Sequence, residues 1–280
     1  MSSALPPLFV HRFLEAKDGS TVSECEDALH IRPESGPDEP VTHALCAAVA
    51  DGASESLLAG RWARVLVEHT AEIGALHPET FRDPGSFAGE LVHRAVTPWA
   101  DLITQYTEQR TAQGRPVQWY EQPGLDKGAF ATLAAVRLTP SPDAFAWHWR
   151  AVALGDSCLF HLDNDGVRSS FPLTDSSGFG LTPQLLGSRN NDVALIADRL
   201  QYAEGQLYSG QRLLLATDAL AAWVMRAREN HISPWRELGE VTDQGPEKFS
   251  RWVGEQRMRK LMRNDDVALL RIDALAERTV

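Results

Sequence analysis

The 280-residue chain has only three cysteines, Cys25, Cys46 and Cys158, which lie far apart and form no CxxC pair. That excludes a zinc knuckle and a disulfide framework, and reads as free buried thiols in a reducing compartment. Basic residues are in the minority: 27 Lys and Arg against 38 Asp and Glu give a formal net charge of -11 and a pI near 5.3. Without a basic stripe to meet a phosphate backbone or an anionic lipid surface, neither a nucleic-acid nor a membrane partner is expected. No apolar run approaches the roughly 20 residues of a membrane span, and residues 1–7 lack a basic segment followed by an apolar one, so a cytoplasmic protein is expected. His43, His93, His148 and His161 show no HxxxH or HxH spacing, which argues against a zinc hydrolase. Gly155-Asp156-Ser157 is not the GxSxG elbow of a serine hydrolase. There is no internal repeat and no low-complexity tract.

What the chain does have is a set of short apolar runs that each meet an acid. Ala47-Ala48-Val49-Ala50 leads into Asp51-Gly52, Val152-Ala153-Leu154-Gly155 into Asp156-Ser157, and Leu213-Leu214-Leu215-Ala216-Thr217 into Asp218, while Asp265-Asp266 precedes Val267-Ala268-Leu269-Leu270. Apolar runs of this length bounded by turn formers read as buried strands, which places the carboxylates where a core meets water. Any one such acid is explained by a turn or a helix N-cap. Several together at one rim repel each other unless a cation joins them, and oxygen-only ligands favour a hard divalent ion such as Mg²⁺ or Mn²⁺.

The element order follows from periodicity. Strands are expected over 9–16, 25–31 and 43–50, a helix over 55–73, and a second helix over 87–110 interrupted by Pro98. A loop over 114–127 precedes strands over 129–138 and 145–154. A strand over 158–162 then enters a hairpin turn at Asp163-Asn164-Asp165-Gly166. The stretch 171–199 reads as irregular and marks a flap of about 171–210, with Arg189, Asn190 and Asn191 as candidate contacts for a substrate protein. A strand over 213–216, helices from Asp218 and over 246–262, and a strand over 267–272 close the chain. Trp62, Trp99, Trp147, Trp149, Trp223 and Trp252 fall within periodic elements and are assigned to the core. Segregated strands and helices of this kind predict an α+β sandwich, two stacked antiparallel sheets with helices outside, as a single domain over 1–280.

Seven blocks then carry a family resemblance: Cys25-Glu26-Asp27-Ala28, Val49-Ala50-Asp51-Gly52, Gly128-Ala129-Phe130-Ala131-Thr132, Leu154-Gly155-Asp156-Ser157, Leu173-Thr174-Asp175-Ser176-Ser177, Gly210 to Asp218, and Asn264-Asp265-Asp266-Val267. In this order the chain resembles the metal-dependent protein phosphatases of the PP2C type over about residues 8–272. The resemblance implies an αββα sandwich whose two Mg²⁺ or Mn²⁺ ions serve hydrolysis of phosphoserine and phosphothreonine. It implies Asp51 bridging both ions, Asp218 and Asp265 on the first, and Glu26 with the Gly52 carbonyl at the second. Asp27 joins the metal set from one layer further out, and Asp156 matches an acid that supports a third ion. A phosphorylated protein as substrate, a cognate serine/threonine kinase as partner and a monomeric state follow as expectations.

The departures are as specific as the matches. Asp51-Gly52 is followed by Ala53-Ser54-Glu55 rather than by further glycines or a proton-donating histidine, Ala219 follows Asp218 where the family has Gly, and Asp266 stands where the family has Asn. The arginine that grips the substrate phosphate in the family is Val22 here, and Arg12 is the candidate substitute. Two readings therefore stand: a working phosphatase, or a pseudophosphatase that keeps the fold as a binding or regulatory module but turns over little.

Overall fold

The computed structural model describes residues 5–142, 145–163, 166–180 and 182–275. Why two sheets stack is visible in β3 (Leu45–Ala50), where every residue is buried. Leu45, Ala47 and Val49 face one apolar layer, and Cys46, Ala48 and Ala50 face another. A strand apolar on both faces needs cover on both sides, which here means a sheet on one side and a helix on the other.

One sheet runs in the order β1 (Leu8–Glu15), β12 (Val267–Ala274), β11 (Arg212–Ala216), β7 (Cys158–Asp163), β8 (Gly166–Phe171). The other runs β10 (Gln201–Tyr208), β6 (Ala146–Leu154), β5 (Leu133–Pro140), β3, β2 (Ala28–Arg32). All of these neighbours pair antiparallel. A two-stranded ribbon joins β4 (Phe130–Ala131) to β9 (Leu186–Gly187).

Between the sheets, Trp147, Val136, Leu213, Leu215, Leu270 and Ile272 form the central layer. On the outer face of the second sheet lie α1 (Ala59–Leu76), α2 (Pro84–Leu91) and α3 (Trp99–Ala112), whose Trp62, Leu66, Phe87, Leu91 and Trp99 enclose that side. On the outer face of the first lie α6 (Asp218–Glu229), α7 (Pro234–Asp243) and α8 (Pro246–Met258), with Trp223, Leu238, Phe249 and Trp252 inward. The αββα layering matches the sequence expectation, and the six tryptophans assigned to the core are at most 5% exposed.

Three differences have physical causes. The expected strand over 129–138 is broken at Thr132, whose backbone N–H turns aside to the Asp51 carbonyl at 2.9 Å. The helix over 87–110 is two helices joined by a π-helical turn, Val92–Val96, in which the Thr97 N–H reaches back to Val92. Pro98, which follows, has no N–H to donate and its ring crowds the preceding turn, so the helix widens there. The stretch expected to be irregular also contains α5 (Val193–Arg199) and the edge strand β10, so irregular backbone is confined to the part before Asp192. Helices α4 (Gln122–Lys127) and α7 were not anticipated, and both begin around a proline at the first or second position. The tip of the β7–β8 hairpin, Asn164 and Asp165, lies outside the described residues.

Trp62 joins the outer layer to the ribbon: it stacks edge-on to Trp99 at 5.1 Å, and its indole N–H donates to the Leu186 carbonyl at 2.9 Å. Trp62→Ala is expected to cost about 3–5 kcal/mol in urea unfolding, the range for removing a buried large aromatic. Trp62→Phe, which keeps a ring and loses the donor, is expected to cost about 1–3 kcal/mol.

Candidate metal centre

The acids gather because the strands that end in them open at the same edge of the sandwich. β3 stops at Asp51, and Gly52 allows the turn that follows. A Cβ on Gly52 would lie 2.7 Å from the Ala59 carbonyl carbon and 2.8 Å from the Glu26 carbonyl oxygen, closer than any side chain tolerates. Its N–H donates to that Glu26 carbonyl at 3.2 Å, tying the two segments together. The Asp51 peptide is held from the other side too: its N–H donates to Thr132 Oγ1 at 3.2 Å, and its carbonyl accepts from the Thr132 N–H. Thr132 Oγ1 is also 2.7 Å from Ser157 Oγ, which couples this corner to the turn bearing Asp156. In that turn Gly155 has φ +104°, and a Cβ there would meet Thr132 Cγ2 at 2.6 Å. Only glycine is comfortable in that conformation and that space.

On this frame Asp51, Asp156 and Asp218 each offer a carboxylate oxygen within 4.8 Å of the others. Asp156 Oδ1 is buried and has no hydrogen-bond partner among the described residues. Asp27 lies fully buried behind Asp51, and its Oδ2 accepts from Thr217 Oγ1 at 2.7 Å. Burial, followed by the negative charge of Asp51, holds the Asp27 carboxyl well above the usual range. Burial and then Asp218 and Asp156 do the same to Asp51. Asp156 is pushed up to about 6 by burial and by Asp218. Asp218 is raised by burial, against the opposing pull of Arg263. Carboxylates so disfavoured as anions are stabilised by a cation among them.

The donor set fits a hard divalent ion. It is all oxygen, its acids crowd one another, and one of its buried oxygens has no partner among the described residues.

Two cationic side chains already touch the rim. Lys17 Nζ donates to Glu26 Oε2 at 2.9 Å and lies 3.3 Å from Ser54 Oγ, which also donates to Glu26 Oε2 at 2.5 Å. The Arg263 guanidinium pairs with Asp218, and at 3.1 Å with Asp265 Oδ2. Asp265 thus meets Asp218 through Arg263, and Glu26 stands on the Ser54 side of the cluster.

Asp266 has a separate duty. Its Oδ1 accepts from the Lys17 N–H and its Oδ2 from the Glu26 N–H, both at 2.7 Å. Both oxygens face donors, so a carboxylate suits the position, whereas an amide would turn its NH₂ against one of those N–H groups. Arg257, 7% exposed, fixes the neighbouring loop by donating to the Ala16 carbonyl at 3.0 Å and the Asp265 carbonyl at 2.6 Å. Lys17, Ser54, Arg263 and Asp266 were not singled out as site residues from the sequence. For Ser54, Arg263 and Asp266 the one signal available was position, a few residues from an expected ligand, and Lys17 had none.

Arg12 requires correction. Its guanidinium pairs with Glu34 Oε2 at 2.5 Å and donates to the Ser35 carbonyl at 2.8 Å. Glu34 follows the end of β2 opposite to Asp27, so Arg12 points away from the acids and is neutralised where it lies. Val22, 66% exposed on the turn Val22–Glu24, offers no replacement. In the segment assigned to a flap, Arg189 is exposed beside Gly128, and Ser188 Oγ accepts from the Ala129 N–H at 2.9 Å. The segment is thereby fastened to the strand that holds Asp51.

The fold of two antiparallel sheets between helix layers matches that of PP2C-type phosphatases. Solved structures share it over nearly the whole chain. The serine/threonine phosphatase PstP/Ppp of Mycobacterium tuberculosis is similar with a TM-score of 0.57 at 12% identity, covering 96% of this chain and 100% of that one. The photosystem II phosphatase PBCP is similar with a TM-score of 0.55 at 15% identity, covering 95% and 98%. The catalytic domain of PstP in complex with two manganese ions is similar with a TM-score of 0.52 at 14% identity, covering 96% and 100%. No family model matches the sequence, and no curated protein matches it by sequence.

The raised Asp156 has a measurable consequence. An acid whose folded value exceeds its unfolded one leaves stability unaffected below the unfolded value and costs stability as pH rises between the two. With a chelator present, Asp156→Asn is therefore expected to gain stability relative to the unmodified protein as pH rises from 4 to 7. The gap should reach about 1–3 kcal/mol at pH 8 in urea unfolding. A gap that stayed constant from pH 4 to 8 would contradict the buried, unpartnered state of this carboxylate.

Proposed function

We propose that this protein is a metal-dependent phosphoprotein phosphatase acting on phosphoserine and phosphothreonine. The observation that supports it best is the convergence of Asp51, Asp156 and Asp218 within 4.8 Å, with a buried oxygen of Asp156 that nothing among the described residues satisfies. Asp51, Asp218 and Asp265 would hold two ions together with Glu26 and the Gly52 carbonyl, and Asp156 would support a third. Bound there, Mg²⁺ or Mn²⁺ supplies an acidified water at neutral pH and offsets the charge of the phosphoryl group. The chain's own residues do the positioning. Asp27, fixed by Thr217, backs Asp51; Thr132 clamps the Asp51 peptide on both its N–H and its carbonyl; Asp266 sets the backbone that carries Glu26. No serine, cysteine or histidine is needed as nucleophile, in keeping with the deep burial of all three cysteines, whose thiols are pushed up by desolvation.

The manganese complex of PstP, with the same fold, supports a two-ion reading of these acids. The substrate class follows from that reading: a phosphorylated protein, delivered by a serine/threonine kinase. The buried free thiols support a reducing, cytoplasmic setting, and no helix among the described residues is long and apolar enough to cross a membrane.

Two observations favour a second reading, a pseudophosphatase that keeps the fold as a binding or regulatory module and turns over little. Val22 brings no guanidinium to the site, and Ala53 brings no proton donor. A Mn²⁺-dependent assay on a phosphoserine peptide and on p-nitrophenyl phosphate separates the two. The phosphatase reading expects release of phosphate that EDTA abolishes and that Asp51→Asn and Asp218→Asn each reduce at least about 100-fold. Turnover that survives EDTA or both substitutions would rule out metal chemistry at these acids. Absence of turnover in a protein that binds Mn²⁺ would establish the pseudophosphatase.

A further inference from the structure

The phosphate of a phosphoprotein carries nearly two negative charges, and a planar guanidinium is the side chain best shaped to grip it. Neither Val22 nor Arg12 can do so. Arg263 is placed for it. Its side chain is 53% exposed, and its guanidinium lies on Asp218 and Asp265, two of the carboxylates assigned to the first ion. Its backbone is fixed: Met262 before it is 3% exposed, the Arg263 carbonyl accepts from the Asp265 N–H at 3.0 Å, and Arg257 holds the Asp265 carbonyl. The base of the side chain is therefore anchored at the rim, while its end is held by the carboxylates of Asp218 and Asp265 alone among the described residues.

We propose that Arg263 is a two-position residue: it occupies Asp218 and Asp265 as their counter-cation, and when a divalent ion takes those carboxylates it turns to the substrate phosphate. The proposal rests on the phosphatase-type metal site argued above. It follows from competition for the same oxygens. A carboxylate oxygen that donates its electron pair to a divalent ion has less to offer a guanidinium, and the ion's charge repels the displaced group. The freed fork then stands next to the place where a phosphoryl dianion is drawn. Lys17 is less suited, being 28% exposed, tied to Glu26 and Ser54, and without a bidentate fork.

The test measures binding, not turnover. Mn²⁺ is titrated calorimetrically into the full chain, Arg263→Gln and Arg263→Lys. Inorganic phosphate is then titrated into the Mn²⁺-treated proteins and followed by phosphorus line broadening. Arg263→Gln is expected to bind Mn²⁺ about tenfold more tightly and phosphate about tenfold more weakly. Arg263→Lys, with the charge but not the fork, should stay near the unmodified protein for Mn²⁺ and near Arg263→Gln for phosphate. Mn²⁺ affinity unchanged in Arg263→Gln, or no Mn²⁺ uptake by either protein, would overturn the proposal, as would phosphate affinity equal to that of the unmodified protein. Phosphate release from a phosphopeptide is scored separately. The expected binding pattern without turnover would leave Arg263 as proposed and refute the phosphatase reading alone.

Discussion

Electrostatic repulsion among buried carboxylates is the constraint around which this molecule is organised. Asp27 is 1% exposed, Asp156 6% and Asp218 8%, and Asp51 lies among them. Like charges about 4 Å apart repel by roughly 4 kcal/mol at an effective dielectric constant near 20, and burial adds the cost of lost hydration. A fold tolerates such a cluster by protonating it, by pairing it, or by binding cations. The first two are visible here. The carboxyls of Asp27, Asp51 and Asp156 are raised toward protonation, Asp218 is paired with Arg263, and Asp156 keeps an oxygen with no partner among the described residues.

The sandwich makes this arrangement rigid. Strands from both sheets open at one edge, and the peptides next to the acids are cross-tied: Asp51 to Thr132, Gly52 to Glu26, Thr132 to Ser157, Asp266 to Lys17 and Glu26. Because these ties use backbone groups and buried hydroxyls, the carboxylates cannot separate to relieve their repulsion without breaking the sheet edge. The net charge of -11 and the site's demand for positive charge are thus connected: part of the acidic excess is this cluster. Acidity of the whole chain is compatible with attraction of a phosphate once the local charge is reversed by ions.

Much of this was legible in the sequence, for a definite reason. A buried strand must end where its last residue meets water, so an apolar run followed by Asp locates a carboxylate at the sandwich rim without any knowledge of the fold. Asp51, Asp156 and Asp218 were found in that way, and the double-sided burial of β3, β11 and β12 follows from the same runs. Side-chain direction was not legible. Arg12 sits on a strand of the right sheet but reaches Glu34 at the far side, whereas Arg263, in a loop with no periodicity, folds onto the acids. The break at Thr132 was also hidden, because the run Ala129 to Leu138 is apolar enough for one strand and the interruption comes from a tertiary hydrogen bond to Asp51. Asp266 showed in the sequence only as an acid where the family has Asn, and its two accepted backbone bonds make it a clamp on the Lys17 and Glu26 segments.

The claim on which everything else rests is that these carboxylates together hold divalent ions. Anomalous scattering from crystals soaked in Mn²⁺ tests it directly. Two peaks are expected, with Asp51 oxygen atoms within about 2.2 Å of both, Asp218 and Asp265 on one, and the Arg263 guanidinium displaced from them. Crystals that show no anomalous peak among Asp51, Asp218 and Asp265 at millimolar Mn²⁺ would contradict the account.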